Sequence, residues 1–283
     1  MSGRSNARKQ PKVKEKVIID ENNPMLRAFR AYSMELDAKH DRYERIVKLS
    51  RDITIEAKRI IFLLHSIDIR KGNKEKVLEE AQQRLEKVIK VNFKAVAQEM
   101  HNLDPYQYRG AYAPGLQEFI EAYSFMEYMR YADDNSTSLD NEASMSDWQQ
   151  LQGKMQYIEA ETNDEISAEM KEHKLSFHVE PSEYILGISD LSGELMRRCI
   201  NSLGSGETDT CLLICKVLQH LYKGYIGLSI PRCRELSRKI HTMRQSVLKA
   251  EDVCYNVKVR GGEAAKWGLE SEKPNVDIDE GFF

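Results

Sequence analysis

The sequence contains few helix-breaking residues and no long apolar stretch. Its 283 residues include 15 glycines and 7 prolines, whereas charged residues make up 31% of the chain. A membrane-spanning helix needs about 20 consecutive apolar residues, and no such run occurs. No apolar segment follows the N terminus in the manner of a secretory signal. We therefore expect a helix-rich protein with no membrane partner.

Cysteine is also scarce, and its number is odd. All the cysteines fall within predicted helices, so we expect reduced, buried thiols rather than a disulfide framework. Cys211 and Cys215 could share a helix face, but the sequence places no third or fourth ligand near them. A structural zinc site, which uses four ligands, is therefore not expected. The five cysteines are Cys199, Cys211, Cys215, Cys233 and Cys254.

The signature motifs of several large enzyme classes are missing. The sequence has no phosphate-binding loop, no dinucleotide-binding glycine fingerprint, no nucleophile elbow and no His-Glu-x-x-His zinc motif. Asp37 and His40 are three residues apart, but no Glu-x-x-His occurs, which argues against a di-iron carboxylate protein. Any catalytic site must therefore be sought in a less familiar pattern.

Apolar spacing predicts an all-α fold. Asn23 and Pro24 are typical of a helix start, and apolar residues then keep helical spacing without a break until Gly72. A helix of about 40 residues would extend about 60 Å, at about 1.5 Å per residue. We predict an antiparallel bundle of about six to seven helices with a very long first helix. The later helices are predicted over about 74–100, 105–130, 181–204, 208–223 and 231–260.

Charge divides the chain into one body and three outlying segments. Residues 1–22 contain a basic run and are interpreted as a disordered tail, which could be a nuclear import signal, a phosphate-attracting arm or simply a solubilising tail. Residues 133–176 carry eleven acids and three bases, and we predict an acidic mobile insertion with a short helix near 148–158. Residues 263–283 are predicted to be a disordered acidic tail. The remainder of 23–262 is predicted to be a single all-α domain.

Two pairs of acids carry the main functional signal. Glu118 and Glu121 are three residues apart, and Asp190 and Glu194 are four apart, so each pair projects from one face of a predicted helix. Both pairs lie among apolar residues and could border a packed interior. Four such carboxylates could hold a hard divalent cation, although solvated faces or an ordinary ion pair of Glu194 with Arg197 would also explain the spacing.

Basic residues on the long first helix form a second candidate surface. Lys48, Arg51 and Lys58 lie on a stripe distinct from the apolar one, and Arg197 follows the second acid pair. Such a stripe could bind an RNA phosphate backbone, but a solvated helix face would look the same. The pattern leaves both interpretations open.

Four segments carry a family resemblance. They read LDAKHDRYERIVKLSRDIT (36–54), GLQE (115–118), DLSGELMR (190–197) and YNVKVRG (255–261). Over residues 24–131 and 177–262 the sequence resembles the translin-associated factor X (Trax) branch of the translin family. These motifs are long enough to separate the chain from the paralogous translin branch.

The resemblance implies an activity, a cofactor and a partner. It implies a subunit that joins translin in a closed, barrel-like hetero-oligomer, for which we expect an octamer in the cytoplasm and nucleus. It also implies a Mg²⁺-dependent endoribonuclease, with Mn²⁺ as a substitute, that cuts single-stranded RNA. Removal of passenger-strand fragments by this activity promotes activation of the RNA-induced silencing complex. The family's catalytic and metal-binding acids correspond here to Glu118, Glu121, Asp190 and Glu194.

A different class of function also fits the sequence. Long apolar stripes favour association as much as catalysis, so the chain could be a structural subunit that stabilises translin and carries nucleic acid. A nuclear carrier directed by the basic run at residues 8–16 is a third interpretation.

Overall fold

The computed structural model describes residues 23–131, 147–160, 172–204, 206–228 and 233–267. This part of the chain confirms the predicted all-α class, with one small sheet added. The predicted tail at 1–22 lies outside the described residues. Residues 263–267 of the predicted acidic tail continue the last helix instead, whereas 268–283 lie outside the described residues.

The elements are α1 (Pro24–His65), α2 (Lys74–Lys87), α3 (Lys94–Glu99), α4 (Arg109–Tyr131), α5 (Trp148–Lys154), β1 (Gln156–Ala160), β2 (Glu172–Ser176), α6 (Pro181–Gly204), α7 (Thr208–Ile226) and α8 (Arg234–Trp267).

The described residues divide into two units, and residues 23–42 belong to the first of them. Its described part is the beginning of α1, and Asn23 caps this helix because its Oδ1 atom accepts a hydrogen bond of 2.9 Å from the backbone N–H of Met25. This confirms the predicted helix start. The side chains of Phe29, Tyr32 and Leu36 are largely exposed in this unit.

The described residues from 43 to 267 belong to the second unit, which contains the hydrophobic core. Helix α6 occupies its centre, since it packs against α4, α7 and α8. From α1 the core receives Ile46, Ile53 and Ile60, which recur every seven residues and therefore point to one side of the helix. The apolar spacing of the sequence thus identifies the buried face.

The region 74–99 departs from the single regular helix that was predicted. A π-helical turn, Val88–Phe93, separates α2 from α3. This turn places Phe93 in the core, where its ring centroid lies 5.0 Å from that of Phe119 and 4.9 Å from that of Phe177. It also offers the carbonyl of Ile89 to the hydroxyl of Tyr157, at 2.9 Å. The distortion therefore joins this helix to the small sheet.

The prediction of a mobile insertion at 133–176 is wrong for its described part. Residues 147–160 and 172–176 form α5 and an antiparallel pair of strands, β1 and β2. The reason is a set of apolar residues within the acidic sequence: Leu151, Met155 and Leu175 are buried in the core. Residues 132–146 and 161–171 lie outside the described residues. No helix in the described part of the chain is long and apolar enough to cross a membrane.

Candidate active site

The packing of α4 against α6 brings the two predicted acid pairs together. Glu118 and Glu121 project from α4, whereas Asp190 and Glu194 project from α6, and all four side chains are partly buried. Burial, followed by the nearby charges of Asp190, Glu194 and Glu118 in that order, raises the pKa of Glu121 to about 8. The four carboxylates therefore act on one another electrostatically, as a cluster.

Two glycines allow the helices of this cluster to approach closely. A Cβ atom on Gly115 of α4 would lie 2.6 Å from the backbone oxygen of Ser50 on α1. A Cβ atom on Gly187 of α6 would lie 2.7 Å from the Cβ atom of Ile120 on α4. Each glycine precedes an acid by three residues, or about one helical turn. The close contacts between α1, α4 and α6 thus set the backbone positions from which the acidic side chains project.

Asp190 has a cationic partner from a third helix. The Nζ atom of Lys239 on α8 lies 2.5 Å from the Oδ2 atom of Asp190. The same ammonium group also donates to the backbone carbonyl of Leu186, at 3.1 Å. Burial raises the pKa of Asp190, and the hydrogen bond and charge of Lys239 offset only part of this effect. Lys239 therefore favours the ionised form of an acid that burial disfavours.

Lys239 is held in turn by a buried polar network. Its Nζ atom donates to the Oε1 atom of Gln117 at 2.7 Å, and the Nε2 atom of Gln117 donates to Glu183 at 2.6 Å. The Glu183 side chain is fully buried, and the guanidinium of Arg109 donates to it through Nε at 2.5 Å. A buried carboxylate requires such pairing because its desolvation is costly. The network thus fixes the position of Lys239 and, through it, of Asp190.

Glu194 is held by a histidine and an arginine. The Nε2 atom of His65, the last residue of α1, lies 2.5 Å from the Oε2 atom of Glu194, and the His65 ring packs against Phe125. Arg197 approaches the same carboxylate at 3.3 Å. Burial acts to raise the pKa of Glu194, but the His65 hydrogen bond and the Arg197 charge outweigh it, so the pKa is lowered. Glu194 is therefore ionised at neutral pH.

The four predicted RNA-binding residues divide into two groups. Lys58 and Arg197 border the acids, because Lys58 pairs with Glu118 at 3.3 Å and Arg197 pairs with Glu194. Lys48 and Arg51 are exposed on α1, and Lys48 lines a groove between α1 and α3 rather than the acidic cluster. The structure thus brings two of the four bases next to the site.

Sequence reasoning missed the residues that hold the acids in place. His65, Gln117, Glu183 and Lys239 come from four helices, and no spacing rule connects them. Only Gln117 carried a signal, since a polar residue flanked by Leu116 and Glu118 breaks the apolar pattern of α4. The others are single polar residues whose roles depend on tertiary packing.

The residue types of the cluster fit a hard divalent cation. Four carboxylates supply the oxygen ligands that Mg²⁺ and Mn²⁺ prefer, and the raised pKa of Glu121 marks negative charge that a cation would offset. In the described residues, however, no three of these acids place carboxylate oxygens within 4.8 Å of one another. Binding would require Asp190 and Glu194 to rotate part of the way from Lys239 and His65.

Comparisons with known proteins identify the family of the chain. The chain is 38% identical over 268 residues to a translin-associated protein X of Pongo abelii, which covers 93% of this chain and 90% of that protein. Its fold is similar to that of apo-NeC3PO (TM-score 0.55, 18% identity, 80% of this chain and 95% of that chain). It is also similar to AfC3PO in a complex with duplex RNA (TM-score 0.52, 19% identity, 83% and 97%). Residues 41–261 match the model of the translin family, and the chain therefore belongs to that family.

Proposed function

We propose that this chain is the catalytic subunit of a translin-containing endoribonuclease. The observation that carries the proposal is the convergence of Glu118, Glu121, Asp190 and Glu194, where burial and then the charges of the other three acids raise the pKa of Glu121 to about 8. Acids that serve only to solvate a helix surface would not be expected to converge from two helices in a partly buried cluster. Perturbed pKa values of this kind are concentrated at functional sites.

The four acids are the proposed ligands of Mg²⁺, for which Mn²⁺ can substitute. The ion, when bound, would lower the pKa of a water molecule and neutralise charge on the phosphoryl oxygens. Glu194 is ready to bind a cation because His65 and Arg197 keep it ionised. Glu121 holds a proton at neutral pH and must release it as positive charge arrives.

Basic residues next to the acids are the proposed contacts for the RNA backbone. Lys58 and Arg197 are exposed, each lies beside a site carboxylate, and each can move to a phosphate without unfolding the helix that carries it. Lys48 and Arg51 could extend this contact along α1, since the three α1 bases share a stripe. One structural relative binds duplex RNA, which supports a nucleic-acid substrate. The preference for single-stranded RNA rests on the family resemblance.

The proposed partner is translin, in a closed hetero-octamer. The name of the mammalian relative, translin-associated protein X, supports this association. So do large apolar side chains that are exposed in the chain alone, such as Phe29, Leu36 and Phe62. Coexpression with translin should therefore increase the soluble yield of the chain. We propose that this complex removes passenger-strand fragments and thereby promotes activation of the RNA-induced silencing complex. We propose that it acts in the cytoplasm and is also present in the nucleus.

Isosteric substitutions of the four acids test the catalytic proposal. Glu118→Gln, Glu121→Gln, Asp190→Asn and Glu194→Gln should each slow the cutting of a labelled single-stranded RNA by the assembled complex by about 10²–10³-fold, since a lost ligand removes several kcal/mol of transition-state stabilisation. Glu127→Gln is the matched control, because Glu127 lies on α4 and is similarly buried but pairs with Arg130. Unchanged rates in all four variants would refute the proposal.

A non-catalytic subunit is the competing function, and one observation favours it. Asp190 already has a cationic partner in Lys239 and Glu194 a hydrogen-bond partner in His65, so the cluster is partly satisfied without a metal ion. A chelator separates the two proposals. If the chain is catalytic, the chelator stops RNA cutting and leaves the complex assembled. If the assembled complex never shows divalent-dependent cutting, the structural role is correct.

A further inference from the structure

Three thiols from three helices meet in the core, away from the acidic cluster. The Sγ atom of Cys211 on α7 lies 3.2 Å from that of Cys199 on α6 and 3.3 Å from that of Cys254 on α8. All three sulfurs lie within 4.8 Å of one another, and all three side chains are buried. The expectation that no third ligand lies near Cys211 is therefore wrong, because the other thiols arrive from neighbouring helices rather than from nearby sequence.

The sulfur positions fit a shared cation better than a disulfide. A disulfide needs its sulfurs at about 2.05 Å, so neither of these two contacts is a bond. A cation centred among three sulfurs at about 2.3 Å each would space them about 4.0 Å apart. The triangle of Cys199, Cys211 and Cys254 needs to open by less than 1 Å along its two short edges to reach that spacing.

Each of the three sulfurs that joins a metal gives its proton to solvent, because a coordinating thiol is deprotonated.

We propose that Cys199, Cys211 and Cys254 form a three-thiolate site for one monovalent copper ion. Thiolates are soft ligands that select Cu(I), and a low coordination number suits a set of three sulfurs. Zinc usually takes four ligands, one more than the triangle supplies. Cys215 lies one turn after Cys211 on α7 and forms a side-chain hydrogen bond with Cys254, but its sulfur does not lie within 4.8 Å of all three sulfurs of the triangle.

The site would join α6, α7 and α8 at a point beyond the acidic cluster. Cys199 follows Glu194 on α6 by five residues, and Cys254 follows Lys239 on α8 by fifteen. A bound ion would therefore link the helix that carries Asp190 to the helix that carries its partner Lys239. The site is independent of RNA cutting, so its test does not depend on the catalytic proposal.

Metal loading of the full-length chain, copurified with translin, tests the site. The complex is treated with an acetonitrile complex of Cu(I) without oxygen, desalted, and measured for copper by mass spectrometry. We expect one copper per chain. X-ray absorption should show three sulfur neighbours. Cys199→Ser, Cys211→Ser and Cys254→Ser should each lower the bound copper at least about tenfold. Cys215→Ser makes the same change in the same core and should retain the ion.

Several outcomes would overturn the proposal. Substoichiometric copper in the wild-type complex, or nitrogen and oxygen neighbours in the absorption spectrum, would refute it without any variant that might misfold. Loss of copper in Cys215→Ser, with the thermal midpoint unchanged, would replace the three-sulfur site with a four-sulfur one. A parallel loading with Zn²⁺ that gives one tightly held zinc per chain would overturn the selection of copper.

Discussion

The Nζ atom of Lys239 lies 2.5 Å from the Oδ2 atom of Asp190, although the two residues are 49 positions apart in the sequence. This contact gives the acidic cluster a cation of its own. The ammonium group is also held by Gln117, at 2.7 Å, so its position is determined by the network as well as by Asp190. A divalent ion that binds Asp190 must therefore compete with the ammonium group of Lys239, which Gln117 keeps close to this carboxylate.

Replacing Lys239 should alter the pH dependence of cutting. In Lys239→Met the pKa of Asp190 should rise above its present, already raised value, because the hydrogen bond and charge that lower it are removed. Hydrogen bonds to charged groups contribute about 1.5–3 kcal/mol, so we expect a fall in rate at neutral pH of about tenfold or more. The rate of RNA cutting by the assembled complex, measured from pH 5.5 to 8.5, should recover as the pH increases.

Lys249→Met is the matched control for that substitution. Lys249 is exposed on the same helix and should tolerate the change with no effect on rate or pH profile. If Lys239→Met lowers the rate equally at every pH, Lys239 acts in some way other than on the ionisation of Asp190.

Glu121 should couple divalent-ion binding to proton release. Its pKa of about 8 means that the carboxyl is largely protonated at pH 7, whereas a bound cation requires the carboxylate. Titration calorimetry with Mn²⁺ at pH 7, in two buffers of different ionisation enthalpy, should detect release of close to one proton per ion. The release should be absent in Glu121→Gln and preserved in Glu127→Gln. Equal heats in both buffers for the wild type would contradict the assignment.

The same raised pKa predicts how stability changes with pH in the absence of metal. The folded value of about 8 exceeds the ordinary value of 4.5, so the folded chain binds more protons than the unfolded chain between these limits. The contribution of Glu121 is therefore fully present below about pH 4.5 and is lost as the pH rises to 8. Urea unfolding of the chelated complex at pH 6 and pH 8 should show a smaller decrease for Glu121→Gln than for the wild type.

The approach of α4 and α6 should be sensitive to a single methyl group. In Gly187→Ala the new Cβ atom would lie 2.7 Å from Ile120, and overpacking of this kind costs about 1–3 kcal/mol. RNA cutting should fall with stability, because the two acid pairs move apart. Gly193→Ala, on the same helix with no atom within 4 Å of the new methyl group, should instead leave stability unchanged or raise it by up to about 1 kcal/mol. Thermal unfolding of both variants distinguishes these effects.

The folded part of the acidic segment should contribute to stability. Leu151→Ala empties a fully buried position of α5 and should cost about 2–5 kcal/mol in the free energy of unfolding. Ile158→Ala changes an exposed residue of β1 and should cost well under 1 kcal/mol. Urea unfolding of both variants provides the measurement. Equal stabilities would mean that α5 does not pack on the core in solution.

The sequence predicts the helices well because they depend on local spacing, and the same spacing singles out the two pairs of acids that the fold brings together. The start of α1 at Pro24 and the buried face through Ile53 follow from a cap and a periodic pattern. The π turn at Val88–Phe93 and the strands at 156–160 do not, since each is stabilised by partners distant in sequence. The few apolar residues of the segment 133–176 did not reveal its folded part, because the acidic composition of the whole segment favoured a mobile insertion.

The acids and their partners show the same division. Glu121 and Asp190 are identified by spacing and by family resemblance, but His65 and Lys239 are not, because nothing in a linear pattern relates them to the acids they contact. The catalytic proposal was available from the sequence. The pKa shifts of the acids could not be predicted in the same way, because they depend on groups that the packing of four helices brings together.

The close contacts at Gly115 and Gly187 separate the fixed part of the site from the adjustable part. At both glycines the helix backbone is in close contact with atoms of a neighbouring helix, so the helix axes cannot shift to fit an ion. The carboxylates of Glu118 and Glu121, in contrast, can rotate. Ions of different radius would then be accommodated by torsion angles alone. We expect any difference in rate between Mg²⁺ and Mn²⁺ to reflect how tightly each ion holds its own hydration shell, since the protein around them would be the same.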